Sequence, residues 1–244
     1  MSLEILLSGA TGSVGQHIIA LSESDEHIHI AGRASRRQMF EPDADADVVV
    51  DFSHPELLGP VLDFAVRRRL PLVTGTTGLD DRLQGRVEAA AQVIPVCQAA
   101  NFSLGVHLLL KLVAEASASL GRGYDAEISE IHHRRKIDAP SGTALALGAA
   151  IERGRGRPGR RVDDRSQTRK PRGNDDIGYQ AVRGGDVVGE HTVYFLGQGE
   201  RIELSHRATD RSLFARGALA AARRIIDSGP GVIDFSKLVL SASH

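Results

Sequence analysis

Leu3-Glu-Ile-Leu-Leu-Ser8, then Gly9-Ala10-Thr11-Gly12-Ser13-Val14-Gly15, then Gln16-His-Ile-Ile-Ala-Leu21 is the stretch that decides the fold. Its first six residues are short and mostly apolar and read as a strand. Glycines at 9, 12 and 15 follow, and Val14 to Leu21 continue with helical spacing. A strand, a glycine turn and a helix in that order allow a tight turn. They also let a pyrophosphate approach the amides at the helix N-terminus. An ordinary βα turn has the same local pattern, so the rest of the chain has to choose between the two.

Working outward, strands are expected at Ile28–Ala31, Val48–Phe52, Leu72–Val73 and Val93–Val96, with helices over about 53–69 and 80–91. The nearly continuous apolarity of Val48–Phe52 is that of a buried parallel strand. Alternating strands and helices make a doubly wound parallel sheet, which takes its ligands at the carboxyl ends of its strands. Gly75-Thr76-Thr77 and Ala99-Ala100-Asn101-Phe102 stand at two such ends. At the end of the second strand a carboxylate would hold a ribose 2′-hydroxyl. Gly32 and Arg33 are there instead, with Arg36 and Arg37 behind and no carboxylate before Glu41.

Beyond Ser103 the pattern changes. Leu104–Leu120 reads as a long helix, Tyr124–Ile131 as a strand and 142–153 as a helix. Residues 154–177 are rich in Arg, Gly, Asp and Pro and read as a long loop. Gly178–Arg183 and Val187–Phe195 read as strands of a hairpin turning at Gly184-Gly185. Arg201–His206 alternates as a strand, Ser212–Ile226 reads as a helix, and Leu238–Leu240 is a last apolar segment. The expected architecture is α/β. A Rossmann-like doubly wound domain spans 1–103 and is completed by 212–244. A second α+β domain at 104–211 carries a mostly antiparallel sheet.

The chemistry concentrates in Glu130-Ile-His132-His133-Arg-Arg-Lys136-Ile-Asp-Ala-Pro-Ser141-Gly142-Thr143-Ala144. Five basic or titratable side chains follow a strand and face a turn. Ser141 can cap the next helix, and the amides of Gly142 and Thr143 then form an anion site. A cationic cluster opposite a helix N-terminus suits a small dicarboxylate, and histidines titrating near neutrality can move protons. A solvated loop before a helix would share much of this pattern.

Composition narrows the classes. The 244 residues suffice for a sizeable core, and the net charge of -1 gives no general attraction to nucleic acid or anionic membrane. Residues 153–172 hold eight arginines and one lysine, but also Asp163 and Asp164 and no aromatic residue for stacking, so no nucleic-acid partner is expected. The single cysteine, Cys97, lies in an apolar run and reads as a buried thiol in a reducing compartment. No apolar run approaches the roughly 20 residues that span a bilayer, and no leader is evident. A soluble cytoplasmic protein is expected. Asp43-Ala-Asp-Ala-Asp47 fails as a calcium loop because Val48 and His54 occupy the required glycine and glutamate positions. His132 and His133 are adjacent, so they point apart in a strand, and no metal site is expected. Tyr124, Tyr179 and Tyr194 are each followed four places on by a residue other than lysine, which argues against the short-chain dehydrogenases.

The motif EIHHRRKIDAPSGTA resembles the signature of the 4-hydroxy-tetrahydrodipicolinate (dihydrodipicolinate) reductase family, as do DFSHPE at 51–56, GTTG at 75–78 and AANFS at 99–103. The resemblance implies NAD(P)H-dependent reduction of a cyclic imine dicarboxylate in lysine and diaminopimelate synthesis. It implies His132 and Lys136 as the acid-base pair, and His133, Ser141, Gly142 and Thr143 as substrate contacts, with Arg211 for the second carboxylate. It also implies contacts from Gly75, Thr76, Thr77, Ala99, Ala100, Asn101 and Phe102 to the nicotinamide half of the cofactor, and a homotetramer. Dual-specificity members of the family carry an acidic residue, then an arginine, after the second strand. Gly32 stands at that acidic position here and Arg33 remains, and Ser13-Val14 replaces a common Arg-Met. The expectation is NADPH in preference to NADH, with Arg33 on the 2′-phosphate.

Overall fold

The computed structural model describes residues 2–41, 43–166 and 170–240. The chain first forms β1 (Leu3–Ser8), α1 (Ser13–Glu23), β2 (Ile28–Ala34), β3 (Val48–Asp51), α2 (Pro55–Arg68), β4 (Leu72–Thr74), α3 (Asp81–Ala91), β5 (Pro95–Gln98) and α4 (Leu104–Leu120). It continues through β6 (Asp125–His132), α5 (Gly142–Arg155), β7 (Arg160–Val162), β8 (Asp176–Arg183), β9 (Gly189–Leu196), β10 (Arg201–Ala208), α6 (Ser212–Ile225), β11 (Gly231–Val232) and α7 (Phe235–Leu240). These elements divide into two compact units, Met1–Leu104 with Arg211–His244, and Gly105–Asp210.

The first unit is a six-stranded parallel sheet in the order β11-β5-β4-β3-β1-β2. The period of two sends alternate residues to opposite faces, and both faces are covered. Ile5, Leu7, Val48 and Val50 pack with Ile18 of α1 and Leu219 and Ala222 of α6. Leu6, Val49 and Leu72 pack with Leu58 and Leu62 of α2 and Val87 of α3. Cys97 is fully buried among them, and burial pushes its thiol up to about 12.

β2 differs from expectation. A bulge after Ile30 skips Ala31, and pairing with β1 resumes at Gly32 and runs to Ala34. The residues past the strand are therefore Ser35, Arg36 and Arg37. Gly32 lies inside the strand, where an added Cβ would come within 2.8 Å of the Leu6 side chain.

The second unit is a five-stranded sheet in the order β10-β9-β6-β8-β7. It is mixed: β10–β9 and β9–β6 are antiparallel, while β6–β8 and β8–β7 are parallel. The expected hairpin of β8 with β9 does not form, because β6 lies between them. The amide of Gly184 donates to the His132 carbonyl at 3.0 Å, and Arg134 donates to the Gly185 carbonyl at 3.2 Å, so the glycine turn closes on the end of β6. Within the expected loop 154–177, α5 runs to Arg155 and β7 forms an edge strand; residues 167–169 lie outside the described part. Among the described arginines there, Arg160 pairs with Asp176 at 2.7 Å and Arg172 with Asp125 at 2.8 Å. Residues Leu104–Gly123 form a 20-residue, mostly apolar helical stretch that by length and composition alone could cross a membrane. Within this unit Leu109 and Val113 pack into the core with α5, and Ser117 Oγ donates to the Ile151 carbonyl at 2.9 Å.

Candidate functional site

In the first unit, the carboxyl ends of β1 and β3 open on a cavity of about 660 Å³. Gly9, Ala10, Thr11, Gly12 and Arg33 line it, together with Phe52. This is the point where strand order reverses, the place such sheets bind nucleotides. Gly9 has φ +82°, and a Cβ on it would meet the Phe52 carbonyl at 2.2 Å, so only glycine fits. Gly12 caps α1 with no side-chain hydrogen bond, which leaves the helix N-terminus to an incoming anion. Arg36 and Arg37 also line the cavity, and no carboxylate does so among the described residues. Ser13 is exposed, and Val14 packs partly against the core. A larger cavity, about 1140 Å³, lies around Asp25, His29 and Arg223 at the opposite end of the sheet, away from the glycine turn.

The GTTG and AANF stretches meet at the ends of β4 and β5. Asp51, fully buried at the end of β3, accepts hydrogen bonds from Ser53 Oγ at 2.5 Å, Thr74 Oγ1 at 2.8 Å and Thr76 Oγ1 at 2.6 Å. Gly75 donates to the Asp51 carbonyl at 2.8 Å, and Ala99 donates to the Thr74 carbonyl at 3.1 Å. Thr77 and Ala100 are exposed at these ends. Asn101 Oδ1 accepts from the Ser103 amide at 2.7 Å. Two expected cofactor residues do not offer their side chains. The Phe102 ring is buried between Phe52 and Phe235, 5.1 and 4.9 Å between centroids, and the Thr76 hydroxyl is spent on Asp51. Only their backbones remain for a ligand.

In the second unit, β6 ends on His132, which is buried, and the chain turns outward through His133. His132 Nδ1 and Glu130 Oε2 are within hydrogen-bond contact. Burial lowers the His132 pKa, and Glu130 only partly offsets it. Lys136 Nζ donates to both oxygens of Asp138, at 2.7 and 2.8 Å, and Lys136 holds the Asp138 carboxyl below its ordinary value. Ser141 caps α5: its Oγ accepts from Ala144 at 3.2 Å. Gly142 and Thr143 form the first turn, with Gly142 exposed. His132, His133, Lys136 and the start of α5 thus belong to one strand-loop-helix segment. Arg211 belongs to the first unit, exposed at the N-cap of α6.

The family model described as dihydrodipicolinate reductase, N-terminus, matches residues 3–102, and that described as its C-terminus matches 105–239. The chain belongs to the dihydrodipicolinate reductase family. A relative from Xanthomonas campestris, named 4-hydroxy-tetrahydrodipicolinate reductase, is 40% identical over 253 residues, 98% of each chain. One of the same name from Stenotrophomonas maltophilia is 44% identical over 245 residues, 94% of each. The fold is similar to that of a dipicolinate-bound dihydrodipicolinate reductase from Paenisporosarcina sp. TG-14, with a TM-score of 0.80 at 21% identity, over 98% of this chain and 100% of that one.

In this reductase, sequence reasoning passed over Asp51, Glu130, Arg183 and His191. Glu130 carried a usable signal: it stands two residues before His132 on a strand, so both must face the same way. Arg183 and His191 reach the site by long-range pairing of β8 and β9 with β6, for which local sequence has no mark.

Proposed function

We propose that the chain reduces 4-hydroxy-2,3,4,5-tetrahydrodipicolinate to tetrahydrodipicolinate with NAD(P)H, as a step of lysine and diaminopimelate synthesis. The observation that carries this is the single segment bearing a buried histidine, a lysine and a capped helix N-terminus, in a chain of this family. The first unit binds the cofactor. Gly9 to Gly12 and the open end of α1 receive its pyrophosphate, and the loops tied to Asp51 receive its other half. The bound nicotinamide supplies the hydride. In the second unit Gly142, Thr143, His133 and Ser141 receive the substrate carboxylates. Lys136 and His132 offset charge that develops on the ring nitrogen and exchange the proton that balances hydride addition after loss of water. Arg211 serves the second carboxylate.

NADPH is preferred over NADH. The reading rests on three arginines and no carboxylate lining the cavity past β2, since a guanidinium fork binds phosphate strongly. Arg33 is the principal phosphate ligand, and Arg36 and Arg37, which line the same cavity, are the alternatives. The protein acts in the cytoplasm as a homotetramer. In the second unit α4 and α5 cover one face of the sheet, while Glu127, Ser129, Tyr194 and Leu196 on the other face remain accessible and β10 stands at an edge.

The test is an assay with freshly generated substrate, following loss of reduced-nicotinamide absorbance. Substrate-dependent oxidation is expected, and none at all would overturn the reading. Measured with both cofactors, kcat/KM should favour NADPH. Arg33→Ala should erode that ratio, whereas loss of the ratio only in Arg36→Ala would move the phosphate to Arg36.

A further inference from the structure

β6 delivers more than the histidine on which it ends. Its alternation carries Ala126, Ile128, Glu130 and His132 on one buried face, so the hydrophobic core gives way to an acid and an imidazole at the end of the same row. Glu130 is 1% exposed, and a carboxylate so buried needs partners. It has four. Oε2 accepts from Arg183 Nη1 at 2.9 Å and is within hydrogen-bond contact of His132 Nδ1, and Oε1 accepts from Arg183 Nη2 at 2.8 Å and from the Ser141 amide at 3.1 Å. Burial raises the Glu130 carboxyl, but Arg183 and His132 more than offset it and hold it below its ordinary value. Glu130, His132 and His191 offer ligand atoms within 4.8 Å of one another, as a metal site would. The Arg183 fork already engages both carboxylate oxygens, which argues against a cation there.

The surroundings of the ring are equally specific. Nε2, the nitrogen not bonded to Glu130, faces Gly189, where an added Cβ would come within 3.0 Å. The bare backbone of Gly189 keeps that side clear. His191 of β9 packs edge-on against His132 at 5.1 Å, and burial pushes its pKa down to about 4, so at neutral pH it packs there uncharged. Arg183 Nη2 also donates to the Asp138 carbonyl at 2.6 Å, tying the loop after Lys136 to the same carboxylate.

We propose that Glu130 is a positioning residue for His132: it holds the ring with a proton on Nδ1 and leaves Nε2 as the nitrogen that exchanges a proton with substrate. The proposal rests on the assignment of His132 to the reaction. The groups facing the ring are Glu130 on its own strand, Arg183 on β8, His191 on β9 and Lys136 on the following loop. Of these only Glu130 raises the affinity of the imidazole for a proton; burial, Lys136 and Arg183 lower it. A neutral amide at position 130 would release the tautomer and make the ring harder to protonate.

The experiment uses the full chain as wild type, Glu130→Gln and His132→Gln. Imidazole ¹⁵N spectra, with the His132 signals assigned by their loss in His132→Gln, should show Nδ1 protonated in the wild type and the pattern lost in Glu130→Gln. In Glu130→Gln kcat should fall roughly tenfold or more, the scale of a misdirected acid or base. The pH-profile limb assigned to His132 should move to lower pH, with KM for the cofactor unchanged. Should that variant not fold, Glu130→Asp carries the test: its shorter carboxylate withdraws from Nδ1, and the same loss in kcat is expected. A wild-type ring protonated on Nε2, or a Glu130→Gln variant with unchanged tautomer and pH profile, would overturn the proposal. Wild-type turnover in His132→Gln would instead overturn the site assignment, whatever the tautomer.

Discussion

Lys136 is one of four lysines in the chain, and Asp138 grips it with both oxygens. In the proposed reaction, substrate binding has to loosen that grip or share it. Lys136→Ala and His132→Gln should each lower kcat by roughly 10²–10⁴-fold, the range for a positioned acid or base. Cofactor binding, read by fluorescence titration, should be nearly intact; turnover unchanged in both would refute the assignment. His191 makes a different prediction. Its folded pKa of about 4 lies below the ordinary 6.5 because burial disfavours the charged ring. Between those values the unfolded chain binds a proton that the folded chain refuses. Its contribution is therefore complete above about pH 6.5 and is lost as pH falls toward 4, up to about 3 kcal/mol in all. Denaturant midpoints at pH 7 and 5 should separate for the wild type and converge in His191→Gln. An equal separation in both proteins would show that His191 does not set the slope.

Ser141 shows how much one element's boundary can carry. Its Oγ caps α5 and meets His191 Nε2 at 3.1 Å, and its amide bonds Glu130. Ser141→Ala should cost about 1 kcal/mol of stability, the usual worth of an N-cap, and more if the loss of His191's partner is felt; a thermal midpoint unchanged from wild type would contradict the cap. This cap was legible in the sequence because serine before a helical run is a local signal. So were the glycine turn at Gly9, the buried strand at Val48 and the cationic motif. Other features depend on partners distant in sequence. The bulge that lengthens β2 answers to its register with β1, and nothing between Ile28 and Ala34 announces it. Gly184-Gly185 has the composition of a hairpin turn, yet β6 takes the place between β8 and β9. β7 is Arg160-Arg161-Val162, too polar and short to stand out in an arginine-rich stretch. At the site, the motif located His132 but not the Arg183 that neutralises its neighbour, since that arginine comes from a strand paired in long-range register.

At the scale of the molecule, the proposed homotetramer would cover the accessible face of the second unit's sheet and its edge at β10. Light scattering at micromolar concentration should give four times the 26.1 kDa chain mass, and a stable monomer would refute the assembly. The first unit has another consequence, one that concerns synthesis. Its sheet is laid down by residues 3–98, but α6, which covers Ile5, Leu7 and Val50 on one face, and β11, which pairs with β5, come from residues 212–232. On a ribosome, that face of the early strands has only α1 over it until the whole of Gly105–Asp210 has been translated. The contiguous second unit can therefore complete its core first, and the half of the protein that is made earliest is the last to close.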